Sequence, residues 1–251
     1  MLLESSHCTE FGGRVFEMHP SGALYWPSQF SLLVADLHFE KGSSYHKTGQ
    51  FLPPYDTHQT LEKLETVIKY FKPRRIFFLG DTFHDMSAWK RMPDVNKSRL
   101  LNAVENLEAV WIEGNHDQGG VPDRFKSLEK IEVDGITLRH IMQRSFLGPE
   151  ISAHFHPAGV IKFGGMRVRR PCFIKSDQKF VMPSFGVLTG GLDFSNEAFE
   201  EFHKCETQLF FLGRRKIFRS SERYLKNKKA VSYTHLRAHE TSLHLVCRLL
   251  L

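Results

Sequence analysis

Five short apolar runs in this chain each stop at an aspartate, an asparagine or a histidine, and that recurrence constrains the fold more than any other feature. Ser31-Leu32-Leu33-Val34-Ala35 runs into Asp36-Leu37-His38, and Arg75-Ile76-Phe77-Phe78-Leu79 runs into Gly80-Asp81-Thr82-Phe83-His84. Ala109-Val110-Trp111-Ile112-Glu113 runs into Gly114-Asn115-His116-Asp117. Downstream, Ile136-Thr137-Leu138-Arg139 leads to His140, and Glu150-Ile151-Ser152-Ala153 leads to His154-Phe155-His156. Runs of this length, rich in β-branched and aromatic residues, read as buried strands, so the polar groups fall where strands end. In open α/β sheets the carboxyl ends of strands are where ligands bind. A single Asp-x-His reads as a solvated loop pair; five such endings are more than chance composition readily produces.

The segments between the first three runs have helical period. Leu61, Leu64, Ile68 and Phe71 follow Asp56, which is expected to be the helix N-cap, and Lys72-Pro73 closes that helix. Asp94 is expected to cap a second helix with Val95, Leu101, Val104 and Leu107 on one face. Strand, helix, strand, helix, strand is the α/β signature, and right-handed crossovers make the strands parallel. Upstream, the Gly- and Pro-containing turns of residues 10–30 point to an edge strand or hairpin leading into the first central strand. After His116 the pattern is short and extended, with strands expected at 131–140, 150–154, 159–168, 179–182 and 208–218 and one helix over Asn196–His203. The expected fold class is α/β: two packed mixed β-sheets flanked by helices, in a single domain.

Composition narrows the function classes. The 251 residues are enough for a sizeable core, and there is no apolar run long enough to span a membrane. Met1-Leu2-Leu3-Glu4-Ser5-Ser6-His7 has no basic region followed by an apolar core, so no signal peptide and a cytoplasmic location are expected. Cys8, Cys172, Cys205 and Cys247 are far apart, which suits reduced thiols better than a disulfide framework or a structural zinc site. The net charge of +6 is compatible with a phosphate-bearing or nucleic-acid substrate. Residues 231–251 resemble the translation of a sequencing adapter, so a domain over 1–225 and a non-native or disordered tail over 226–251 are expected.

Asp36, His38, Asp81, Asn115, His140, His154 and His156 together offer oxygen and imidazole donors without thiolates, a mixture suited to manganese, iron or zinc. A pair of such ions about 3.5–4 Å apart needs a bridging carboxylate, and Asp81 is placed to be it. That arrangement generates hydroxide near neutral pH and holds a phosphoryl group for in-line attack, with no serine or cysteine nucleophile. His116, beside Asn115, is placed to protonate the leaving oxygen or to stabilise its charge.

The order Asp-x-His, Gly-Asp, Gly-Asn-His-Asp, His, His-x-His over residues 31–156 resembles the calcineurin-like metallophosphoesterase superfamily. The resemblance implies an αββα sandwich in which Asp36, His38, Asp81 and His156 hold one metal and Asp81, Asn115, His140 and His154 the other. Ala153 stands where members of the family usually have glycine. Val34-Ala35-Asp36-Leu37-His38-Phe39-Glu40-Lys41, Leu79-Gly80-Asp81-Thr82-Phe83-His84, His154-Phe155-His156-Pro157, Met182-Pro183-Ser184-Phe185-Gly186 and Thr189-Gly190-Gly191-Leu192 are similar to the PdeM branch, the ligase-associated DNA damage response endonucleases. That branch implies manganese-dependent phosphodiester hydrolysis, DNA as substrate, and functional association with a DNA ligase and a helicase; the residues expected to be catalytic are His116 and Asp81.

Lys41, His46 and His84 lie close to these motifs; each is either a substrate-binding or rim residue or an ordinary loop side chain. Arg167, Arg169 and Arg170, like Arg214-Arg215-Lys216, are either phosphate-tracking or solvated. The reading that follows is a dinuclear phosphodiesterase or endonuclease of DNA repair. The alternatives are a phosphatase or phosphodiesterase for small nucleotides, with the same metal chemistry and a different pocket, and a non-catalytic scaffold.

Overall fold

The computed structural model describes residues 6–45, 55–120, 122, 125, 127–163 and 166–220. In chain order the elements begin with β1 (His7–Phe11), β2 (Arg14–Met18), β3 (Leu24–Trp26), β4 (Ser31–Val34), α1 (Lys41–Ser44), α2 (Asp56–Phe71) and β5 (Arg75–Leu79). There follow α3 (Ala88–Arg91), α4 (Asp94–Val104), β6 (Glu108–Ile112), β7 (Ser127–Leu128), β8 (Lys130–Val133), β9 (Ile136–Arg139) and β10 (Glu150–Ser152). The last are β11 (Pro157–Phe163), β12 (Met166–Lys175), β13 (Lys179–Val181), β14 (Leu192–Asp193), β15 (Gln208–Leu212) and β16 (Ile217–Arg219).

The first sheet runs β1-β2-β3-β4-β5-β6-β7. Its first four strands form an antiparallel meander, whereas β4, β5, β6 and β7 pair in parallel, β4 to β5 and β5 to β6 across helical crossovers. The second sheet runs β14-β11-β12-β13-β10-β9-β8, with β15 paired to β12 and β16 to β15, and it too is mixed. The continuous apolar runs arise because the central strands are buried on both faces. Leu33 and Phe77 point into the core between the sheets, with Phe173 and Phe180 opposite. Their neighbours Leu32, Val34, Ile76 and Phe78 pack against Leu61, Leu64 and Val67 of α2 and Leu100 and Val104 of α4. Phe78 and Trp111, partners across β5 and β6, stack at 4.2 Å on that helix side.

Several local expectations change. Asp56 and Asp94 are the first helical residues, not N-caps; Tyr55 and Pro93 hold the cap positions without side-chain bonds. Asp56 turns outward from its own helix to accept the Gly42 N–H at 2.8 Å, and Thr57 accepts that of Glu40 at 2.8 Å, so the start of α2 clamps the loop after His38. Residues 131–140 form the hairpin β8–β9, and 208–218 fall within the hairpin β15–β16. The run 159–168 straddles the hairpin β11–β12, whose residues 164 and 165 lie outside the described residues. The expected helix over Asn196–His203 is a 3₁₀ helix, Glu197–His203, capped by the Asn196 side chain on Ala198 N–H. These are short polar-apolar alternations in which strand and turn periods overlap. No helix among the described residues is long and apolar enough to cross a membrane. His46, Lys47 and the tail 231–251 lie outside the described residues.

Candidate metal centre

The carboxyl ends of β4, β5 and β6 meet those of β9 and β10, and all seven residues expected as ligands come from these ends. The first two strand-end loops keep pairing past their strands: Asp36 N–H donates to the Gly80 carbonyl at 3.1 Å and His38 N–H to that of Asp81 at 2.9 Å. Across the sheets, His154 N–H donates to Asp36 Oδ2 at 3.1 Å, and within the first sheet His116 N–H donates to Asp81 Oδ1 at 2.9 Å. Asp36, His38, Asp81, His154 and His156 all have positive φ, between 44° and 69°. Non-glycine residues rarely adopt that conformation, and its concentration here marks backbone strain held for side-chain placement.

Two triads result. Asp36, His38 and His156 bring ligand atoms within 4.8 Å of one another, as do Asp81, His140 and His154. Asp81 Oδ2 is 3.4 Å from His140 Nε2 and 3.8 Å from His38 Nε2, so this member of the second triad also reaches the first. Asn115 Oδ1 adds to the second triad at 3.2 Å from His140 Nε2.

The imidazole tautomers follow from their outer partners. His140 Nδ1 is 2.9 Å from the Leu79 carbonyl and His156 Nδ1 is 3.1 Å from the Gly190 carbonyl; a carbonyl only accepts, so both Nδ1 atoms carry protons and both Nε2 atoms turn inward. His38 Nε2 and His156 Nε2 then face each other at 3.4 Å, and His154 Nδ1 faces His140 Nε2 at 3.2 Å. Buried Asp36 Oδ1 is 3.3 Å from His156 Nε2 yet has no donor aligned with it. Inward-facing acceptors gathered around common points fit divalent cations, and the N/O donor set without thiolate suits manganese, iron or zinc. The residues therefore pass the test for a metal centre.

Proton affinities show how strongly the cluster asks for positive charge. Burial lowers the affinity of His140, but the hydrogen bond to Asp81 and the charges of Asp36 and Asp81 outweigh it, raising the pKa to about 9. For His156 burial is again outweighed, by Asp36, and the pKa rises. Burial pushes Asp81 upward, yet His140, the His116 N–H and His38 hold it well below the usual carboxylate range. His38 is pushed down to about 3 by burial, against the pull of Asp36 and Asp81, and is the neutral member of its triad.

His116 sits at the open edge with its side chain 42% exposed and Nε2 4.0 Å from Asp81 Oδ2. Its Nδ1 donates to the His84 carbonyl at 3.0 Å, which aims Nε2 at the site. The His84 ring stacks on that of His116, its Nδ1 lies 3.4 Å from His38 Nδ1, and burial, then the charge of Lys41, lowers its pKa to about 4. His38, His84 and His116 form a third group with metal-holding spacing. Lys41 begins α1 close enough for its charge to lower both His38 and His84, and its own pKa is lowered by burial.

Three supports carried no assigned role in the sequence reading. Asp117, fully buried, accepts N–H bonds from Thr82 at 2.7 Å, Phe83 at 3.2 Å and Gly114 at 2.9 Å, tying the Asp81 loop to the Asn115 loop; its place in Gly-Asn-His-Asp was the available signal. A Cβ at Gly80 would collide with the His140 ring, and one at Gly114 with the Asp81 carboxylate and backbone nitrogen. These are the glycines that precede Asp81 and Asn115. Ala153, by contrast, fits: its methyl group is buried in the cluster between the sheets and its N–H donates to the His140 carbonyl at 2.9 Å.

The model of the calcineurin-like phosphoesterase family matches residues 32–212, which takes in every residue of both triads. No curated protein matches the chain. Among solved structures, the Pseudomonas putida nuclease MPE is 27% identical, with a TM-score of 0.69 over 86% of this chain and 100% of that one. Yfce, a phosphoesterase from E. coli, is 12% identical with a TM-score of 0.39 over 76% of this chain and 97% of that one.

Proposed function

The chain belongs to the calcineurin-like phosphoesterase family and is a metal-dependent phosphoesterase, and on that premise we propose that it is a dinuclear phosphodiester hydrolase acting on DNA. The observation that carries the dinuclear reading is Asp81 Oδ2 standing 3.4 Å and 3.8 Å from imidazoles of two different triads. In this reading Asp36, His38, Asp81 and His156 hold one ion and Asp81, Asn115, His140 and His154 the other. Bound divalent ions supply Lewis acidity toward phosphoryl oxygens and acidify water. Around them the chain orients its imidazoles through the Leu79 and Gly190 carbonyls. His116, directed by the His84 carbonyl, delivers the proton to the leaving oxygen from Nε2, and Lys41 and His84 shape the rim that receives the substrate phosphate.

Support for DNA as the substrate comes from the P. putida nuclease and from the PdeM-like motifs. Manganese is the proposed metal, with iron or zinc as alternatives, and the proposed setting is cytoplasmic DNA repair beside a ligase and a helicase. Residues 1–225 are the proposed domain. The test is to incubate manganese-loaded protein with single-stranded, hairpin and duplex DNA and with bis(p-nitrophenyl) phosphate and nucleotides. DNA cut in the presence of manganese and spared after EDTA supports the proposal; hydrolysis confined to small esters favours a nucleotide phosphatase or phosphodiesterase.

A further inference from the structure

Two basic stretches far apart in sequence, Arg169-Arg170 on β12 and Arg214 in the turn between β15 and β16, line a single cavity of about 500 Å³. His156 is part of its wall, so the cavity borders the Asp36–His38–His156 triad at that residue. Another wall is nearly bare backbone. Gly190 accepts the His156 Nδ1–H at 3.1 Å, and the next carbonyl, Gly191, accepts from the Arg169 guanidinium. That short loop therefore ties an arginine to a proposed metal ligand.

The lining of the cavity holds no carboxylate. Elsewhere among the described residues Arg14, Arg75, Arg91, Arg99 and Arg139 each have a carboxylate within ion-pairing distance. Arg169, Arg170 and Arg214 have none among the described residues. Arg214 is exposed and Arg170 half-buried. Guanidinium groups converging on a concave surface without carboxylates suit phosphate oxygens, which they bind with two parallel hydrogen bonds. A small diester occupies only the metal centre; a polymer must lay its neighbouring phosphates somewhere, and this basic cavity shares His156 with one of the triads.

We infer that the cavity is the backbone-binding groove for a polynucleotide, in which Arg170 and Arg214 bind phosphates flanking the scissile bond and Arg169 is a positioning residue that braces the Gly190–Gly191 wall. The inference rests on the nuclease reading and deepens it from diester to polymer. Its test uses full-length protein, a fluorescently labelled oligodeoxynucleotide, and binding measured by anisotropy across a salt series, with cleavage followed in parallel. Arg170→Ala and Arg214→Ala should each weaken binding about 5- to 20-fold and lower the slope of log K against log salt by about 1. The loss should appear in KM for DNA and not in kcat, and Arg170→Lys and Arg214→Lys should keep the salt slope. Unchanged affinity and slope in the Arg170→Ala/Arg214→Ala double variant would overturn the groove. Equal losses in kcat on DNA and on bis(p-nitrophenyl) phosphate would overturn it as well, by making the arginines supports of the metal centre. Wild-type protein that binds DNA through these arginines without cutting it would leave the groove standing and defeat the nuclease reading.

Discussion

His19 and His140 are both buried, and they answer to burial in opposite ways. His19 lies against Tyr70 and Phe71, with ring centroids 5.2 Å and 5.6 Å away, and burial, helped by the charge of Lys63, takes its pKa down to about 4. His140 lies between two buried carboxylates and goes up to about 9. The same side chain, buried in both places, is a neutral packing element in one and binds a proton tightly in the other. What separates them is uncompensated negative charge at the strand ends, and that charge is what a cation would answer.

Removing the charge should have the largest effect. Asp81→Asn is expected to abolish hydrolysis, about 10³-fold or more, and to deplete both ions, since one carboxylate serves both triads. Asn115→Ala touches only one triad and should cost about 10²-fold, within the range for weakened ligand shells. Metal analysis beside turnover decides it; near wild-type turnover with full metal in Asp81→Asn would end the dinuclear assignment.

At the open edge of the same cluster, His116→Ala should slow DNA hydrolysis by about 10²- to 10⁴-fold, the usual span for general acid catalysis, while sparing activated aryl diesters whose leaving group needs no proton. Metal content should not change. Equal losses on both substrates with metals retained would assign His116 an electrostatic role on the phosphoryl group.

The opposite side of the comparison is tested by pH. The folded pKa of His19 is below its unfolded value near 6.5, so between about pH 6.5 and 4 the unfolded chain binds more protons and stability falls as pH falls; above 6.5 the group contributes no slope. His19→Asn, which keeps an acceptor for the Ser21 N–H that reaches His19 Nδ1 at 3.2 Å, should remove about 1 kcal/mol of that acid loss between pH 6.5 and 5, allowing for screening. Urea midpoints measured across that range, with an unaltered slope in the variant, would show that His19 is not the group responsible.

Deleting residues 231–251 should have the smallest effect, since that stretch resembles a translated sequencing adapter and has no pattern that fits the preceding domain. Activity, metal content and melting temperature are expected to stay within error, the melting temperature within about 1 °C. A drop of several degrees would show the tail to be integral to the domain.

Much of this protein was legible from one-dimensional pattern. The strand ends at Asp36, Asp81 and Asn115, and the His-x-His at His154, could be read because a buried strand spells out a continuous apolar run and stops abruptly at polar residues. The parallel order of β4, β5 and β6 followed from the helices between them. The hairpins β11–β12 and β15–β16 were not separable as such, because a short alternating run has the same period on either side of a tight turn. Asp56 and Asp94 were misplaced by one residue, since a carboxylate at a helix start looks the same whether it caps its own helix or, as Asp56 does, binds another loop.

Sequence alone determined which residue types could bind metal and that they fall at strand ends, because both are local: an apolar run and the residue that stops it are neighbours in the chain. Only the tertiary structure decided that Asp81 of one triad also reaches the other, that Asp117 joins the loops carrying Asp81 and Asn115, and that Arg170 and Arg214 face the same cavity beside His156. Those relations are distances between segments far apart in sequence. They are set by the packing of one twisted sheet on another, which brings the ends of β4, β5 and β6 against those of β9 and β10, and no periodicity along the chain encodes them.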